Sequence, residues 1–221
     1  MPAPTITRKT GEPAAHRGRT LDARRDVVLR QATIELLAEL GYDRLTIDAV
    51  AARARSSKTT IYRRWPGKAE LVVNALTSLK GALLVPHTGS LKGDLEAIAK
   101  NSASADNLLD ARLMMGLMTA LAHDAELRQV FRERLIDPHT AALKQVFEQA
   151  VVRGEVAPLR NLDLVVSVYP ALMLRQLLMT GELPDARFAQ QVIDDIIMPL
   201  ATAPDSATTA TRSAVDRRQK P

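Results

Sequence analysis

Apolar residues recur with a helical period along almost the whole chain from about residue 22 to 200, and no stretch alternates with period two for long enough to make a strand. That pattern points to an all-α fold. The composition agrees. Aromatic residues are only 3% of the chain and hydrophobic residues 46%, so the core has to be built from Leu, Val, Ile, Ala and Met. Ala and the long aliphatic side chains lose little freedom on entering a helix.

The first stripe, Leu29, Ala32, Leu36, Leu37 and Leu40, predicts a helix over about 22–40 with Gly41 as its stop. Thr46 caps a short second helix, with Asp48 near its positive end and Ile47, Val50, Ala51 and Ala54 on one face. A third helix runs from about Ser57 to Arg64, with Ile61 inward and Pro66 ending it. Gly67 caps a fourth over about 68–79. Further helices are expected near 91–104, 107–122, 125–136, 138–153, 162–180 and 185–199. Asp137-Pro138 reads either as an N-cap followed by proline at the first helical position or as a kink in one long helix. Pro170 falls inside a helical pattern and should bend it.

Residues 1–20 and 203–221 are rich in Pro, Gly, Thr and Ser and too poor in apolar side chains to order themselves. The chain has no cysteine, which removes disulfides and thiolate metal sites. His87, His123 and His139 are scattered without ligand spacing, so no metal and no cofactor is expected. Residues 1–20 hold no apolar signal core, and the most apolar stretch, 162–183, is interrupted by Asp163 and Arg175. No membrane span is expected, and the expected location is cytoplasmic.

Charge is unevenly placed. Residues 1–80 carry 15 Lys and Arg against 8 Asp and Glu, while residues 81–204 carry 11 against 15. A basic head on an acidic body suits a polyanion-binding module joined to something else, although ordinary solvated surface can produce the same imbalance. Within the head, two short helices separated by a tight turn, with a longer helix to pack on, describe a helix-turn-helix spanning about 46–65. Its second helix enters the DNA major groove and offers its first side chains to base edges. Ser57, Thr59 and Thr60 then allow close approach or donate to phosphate, Lys58 and Arg63 reach phosphate or guanine, Tyr62 donates its hydroxyl, and Lys68 holds phosphate at the next helix start. Trp65, the one tryptophan of the chain, reads as packing. Arg17 and Arg19 form a basic arm or a plain leader.

The block "LTIDAVAARARSSKTTIYRRWPGKAELV", preceded by "ATIELLAELGYDRLT", resembles the DNA-binding domain of the TetR (tetracycline-repressor-like) family over about residues 22–80. The shared features are the Gly-Tyr after the first helix, Thr46, the run Thr60-Ile61-Tyr62, and the aromatic-Pro-x-Lys-x-x-Leu run from Trp65 to Leu71. The resemblance implies a homodimeric, all-helical regulator, most often a repressor, with a C-terminal domain that binds a small-molecule effector and dimerises through its last two helices. It divides the chain into a leader (1–20), a DNA-binding domain (21–80), an effector and dimer domain (81–202) joined through helix four, and a tail (203–221). It adds Thr46 and Arg55 to the DNA-contact set. The family pattern has Gly where this chain has Arg55 and an apolar residue where it has Ser56; a non-glycine residue in a left-handed turn carries a cost.

In the body, Met114, Met115, Met118, Met173 and Met179 could line an adaptable apolar pocket or be simple core. Tyr169, beside Pro170, and Arg175, in an apolar helix, are its polar candidates. Leu164, Val168, Leu172, Gln176 and Met179 on one helix, with Phe188, Val192, Asp195 and Pro199 on the next, suit a four-helix dimer interface or burial within the monomer. No paired carboxylates, activated nucleophile or phosphate-cradling Gly loop stands out, so an enzyme is not expected. A regulator without a small-molecule ligand and a helical small-molecule-binding protein or enzyme remain the alternative readings.

Overall fold

In a computed structural model, residues 14–79, 84–103 and 111–203 are described. These are helical throughout apart from the connections. α1 (Ala14–Arg44), α2 (Ile47–Arg53), α3 (Lys58–Tyr62) and α4 (Lys68–Leu79) come first; α5 (Leu91–Ala103), α6 (Ala111–His123), α7 (Ala125–Phe131), α8 (Asp137–Val152), α9 (Leu162–Thr180), α10 (Ala186–Val192) and α11 (Met198–Thr202) follow. Gly41, at φ 75° and ψ 169°, breaks the helical path of α1, which is the expected stop. The start differs from expectation: α1 begins at Ala14, so residues 14–20 of the supposed leader are helical. Residues 1–13 and 204–221 lie outside the described set.

α7 and α8 are one continuous rod joined by a π-helical stretch, Arg132–Ile136, in which the Asp137 N–H donates to the Arg132 carbonyl. Asp137 sits at φ −59° and ψ −43°, inside the helix, so it is not the N-cap. The kink reading of Asp137-Pro138 is the one the fold adopts. The same device recurs at Ile193–Ile197, between α10 and α11 and just ahead of Pro199. A proline inside a helix removes a donor and pushes its ring at the carbonyl one turn back, and a wide turn there gives the ring room.

Two apolar cores form. The first gathers Leu29, Leu37, Val50, Ile61, Trp65, Leu71 and Val72 of the head together with Leu113, Leu117, Leu127, Phe131 and Leu135 of α6, α7 and the first π stretch. The head core therefore continues past residue 80 into the body. The second core gathers α5, α8, α9, α10, the second π stretch and α11 around Leu91, Val146, Phe147 and Ile193. An ion cluster locks one end of it: Asp94, fully buried, accepts from Thr88 N (2.6 Å), Thr88 Oγ1 (2.7 Å) and Arg153 Nη2 (3.1 Å), while Glu155 accepts from Leu91 N at 2.6 Å. Among the described residues one helix, α9, is long and apolar enough to cross a membrane by length and composition; only 11% of it is buried within this chain.

Candidate nucleic-acid interface

Each element of the head is held by a named contact. Thr46 caps α2, its hydroxyl accepting from Ala49 N at 3.1 Å. At the other end of α2 the Arg55 N–H donates to the Ala52 carbonyl (3.2 Å) and the Ser56 N–H to the Ala51 carbonyl (2.8 Å), a Schellman closure. That closure needs a left-handed residue after the cap, and Arg55 supplies it at φ 49°. The same closure ends α8, where Gly154 takes the position at φ 76°. Arg55 thus departs from the glycine of the family pattern while holding the left-handed backbone that such a closure needs.

Ser57 caps α3: its Oγ accepts from Thr60 N at 3.1 Å and shares a hydrogen bond with Thr60 Oγ1 at 2.9 Å. Both hydroxyls, expected at the DNA surface, are thus engaged with each other in the unbound chain. Ile61 and Trp65 are buried. Lys58, Thr59, Tyr62 and Arg63 point to solvent, Tyr62 being 53% exposed. α3 therefore presents one polar edge outward and one apolar edge inward. Lys58 is ion-paired with Asp48 of α2, a partnership the sequence reading did not anticipate.

Arg64 is a clamp. Its guanidinium contacts Asp22 (2.7 Å), Asp26 and the Thr60 carbonyl (3.2 Å), and its side chain is only 12% exposed. This fastens α3 to α1 at Asp22 and Asp26; these two, four apart on a helix face, were the available signal. Arg53 fastens α2 to α1 through Glu39 (2.8 and 3.0 Å) and Glu35 (3.4 Å). The hydrogen bond from Arg53 holds the Glu39 carboxyl below its ordinary range, and the bond to Glu39 holds the Arg53 guanidinium above its own.

Lys68, expected on phosphate, is half-buried: its Nζ donates to the Tyr42 carbonyl at 3.1 Å and lies 4.1 Å from the centre of the Tyr42 ring. An ammonium there keeps donors to spare. Burial, and then the Asp124 carboxylate that accepts from its hydroxyl, push the Tyr42 phenol well above its ordinary value. Asp124 also caps α7, so this tyrosine joins the head to the α6–α7 corner.

The body candidates do not converge. Met114 and Met118 pack on the first core, whereas Tyr169 and Met173 pack on the second, so they do not share a pocket. Met115, Met179 and Arg175 are exposed. Tyr169 lines an apolar cleft of about 320 Å³, open mouth included, with Leu95, Leu143, Phe147, Val165 and Ile193; its enclosed part has room for one water at most. Burial raises the Tyr169 phenol. Of the dimer candidates, Val192 is 3% exposed inside the second core and so is monomer core. Leu172, Gln176 and Phe188 are half-buried, and Met179 and Asp195 are exposed.

A trihelical head with an outward polar edge on a helix-turn-helix defines a DNA-binding protein. Residues 29–75 match the family described as bacterial regulatory proteins, tetR family, and residues 85–196 match the tetracyclin repressor-like C-terminal domain. An uncharacterised HTH-type transcriptional regulator of Mycobacterium tuberculosis is 33% identical over 183 residues, covering 80% of this chain and 88% of that protein. A protein of Mycobacteroides abscessus named DNA-binding transcriptional repressor TetR is 35% identical over 178 residues, covering 80% and 93%. The crystal structure of a TetR transcription regulator from Haloarcula marismortui superposes with a TM-score of 0.60 at 16% identity, covering 81% of this chain and 97% of that one. The chain belongs to the TetR family of helix-turn-helix transcriptional regulators.

Proposed function

We propose that this regulator is a repressor that holds a near-palindromic operator as a two-fold dimer and releases it when a small molecule binds the body. The observation that carries the DNA half is the split of α3, with Ile61 sealed in the core and Lys58, Thr59, Tyr62 and Arg63 projecting into solvent. These four read or clamp the groove. Thr46, Arg55, Ser57, Thr60 and Lys68 serve the phosphates, the two capping hydroxyls through their protons. The name of the Mycobacteroides abscessus relative supports repression over activation. A DNA regulator of this kind works in the cytoplasm.

The dimer half rests on α9, one side of which packs on the second core while the other leaves an apolar face open within one chain. Leu164, Leu174, Leu178 and Met179 are exposed on it. A second copy covers that face and sets the two heads about 34 Å apart, one per successive major groove. The effector half rests on the cleft at Tyr169. An effector shifts the head spacing only by its differential affinity for the two forms of the protein. The narrowness of the cleft favours a second reading, a regulator under no small-molecule control.

Selection of bound sequences from a random DNA pool, followed by titration of the selected site against salt, tests the first half. A near-palindrome retained over random DNA, with affinity falling steeply as salt rises, is the expected result. Enrichment of no sequence would sink the reading. A thermal-shift screen with and without that site decides between the effector-controlled and uncontrolled forms.

A further inference from the structure

Most cations at the reading surface are paired within the head: Arg53 with Glu35 and Glu39, Arg64 with Asp22 and Asp26, and Arg63 with Asp22 at 3.9 Å. In those pairs the acid lies on α1, away from the reading edge. Lys58–Asp48 is different. Its lysine is the first residue of α3, its aspartate lies in the first turn of α2, and both side chains stand in solvent, 58% and 63% exposed. An acid at the surface that meets phosphate repels DNA of every sequence. It assists binding only where something on the DNA donates to it.

We propose that Asp48 and Lys58 act as one specificity element that reads a G·C base pair in each operator half-site. In the major groove guanine offers the acceptors O6 and N7, and its paired cytosine offers the N4 amine as a donor beside them. The exposed ion pair carries the complementary set. The Lys58 ammonium has donors left after serving Asp48, and the carboxylate has acceptor capacity left after serving Lys58. Lys58 donates to guanine while Asp48 accepts from the cytosine amine. An A·T pair also pairs an acceptor with a donor, but the thymine methyl lies beside them and the adenine edge presents its donor where guanine presents O6. On DNA lacking the G·C pair the carboxylate stays paired with Lys58, keeps it from the phosphates, and gains no donor from the DNA in return. Asp48 thereby lowers affinity for all DNA and restores it for one base pair. This rests on the DNA-regulator reading above.

The test is pool selection with the full chain and with Asp48→Asn and Lys58→Gln, together with a thermal melt of each. The wild-type chain enriches G·C at one position of each half-site. Both variants lose that enrichment at the same position. Asp48→Asn, which frees Lys58 for phosphate, also binds random DNA roughly tenfold more tightly at about 0.1 M salt, with a steeper salt slope by roughly 0.9 per subunit. Unchanged G·C enrichment in Asp48→Asn overturns the proposal, whatever happens on random DNA. So does complete loss of binding by an Asp48→Asn chain that melts like wild type, because the carboxylate would then be a plain attractive contact. A wild-type chain that enriches no sequence fails the DNA-regulator reading first, so the two failures are distinguishable.

Discussion

Arg55→Gly should make the protein more stable and a poorer DNA binder at once. Arg55 holds a left-handed backbone, φ 49°, in the turn between α2 and α3. An L side chain there costs about 1–2 kcal/mol. Glycine removes that cost but adds about 0.5–1 kcal/mol of unfolded-chain entropy. The balance favours glycine by about 0.5–1 kcal/mol. The exposed guanidinium makes no hydrogen bond or ion pair with the described residues, so nothing else is lost. For a chain of this length such a gain raises Tm by about 1–4 °C. On DNA, where we propose that Arg55 reaches a phosphate, the same change should flatten the salt slope by roughly 0.9 per subunit. Arg55→Ala is the control: it keeps the strain and loses the charge, so Tm stays level while the slope falls equally. Calorimetry at a fixed protein concentration and fluorescence anisotropy across salt read the two effects. A lower Tm for Arg55→Gly, or an unchanged salt slope in both variants, refutes the view that strain is kept here for the sake of a cation.

Arg64→Ala should cost about 1–3 kcal/mol, chiefly by stranding the half-buried Asp26, and amide exchange should quicken around Asp22–Asp26 of α1. Leu178→Glu, on the exposed face of α9, should give a folded monomer by light scattering, whereas Ile193→Ala, 1% exposed in the second core, should cost about 2–5 kcal/mol and lower Tm without first dissociating the dimer. The Tyr42 phenol is raised in the folded chain, so its contribution is fully present below the unfolded value of about 10 and is lost as pH climbs above it. Tm should therefore fall above pH ~10, and fall less in Tyr42→Phe; equal slopes would remove Tyr42 as the cause.

Much of this was legible in the sequence, and what was not has physical reasons. Thr46, Ser57 and Gly41 each announce a helix boundary through local chemistry, and each sits where it was expected. The early start of α1 was hidden because residues 14–20, Ala-Ala-His-Arg-Gly-Arg-Thr, carry no apolar stripe in the sequence. Periodicity marks an inward face without saying into which core it points. That is why Met114 and Met118, grouped with Met173 by residue type, belong to the other core, and why Val192 proved to be interior. The π stretches keep a near-helical period, and only Pro138 and Pro199 signal them.

The first core also bears on how such a regulator can be recombined. A chimera that takes the head of one relative and the body of another, cut near residue 80, divides that core: Leu113, Leu117, Leu127, Phe131 and Leu135 would come from one parent and the residues they seal against from the other. Transplanting operator preference therefore calls for exchanging the outward residues of α2 and α3 within an intact chain, leaving both parents' interiors whole.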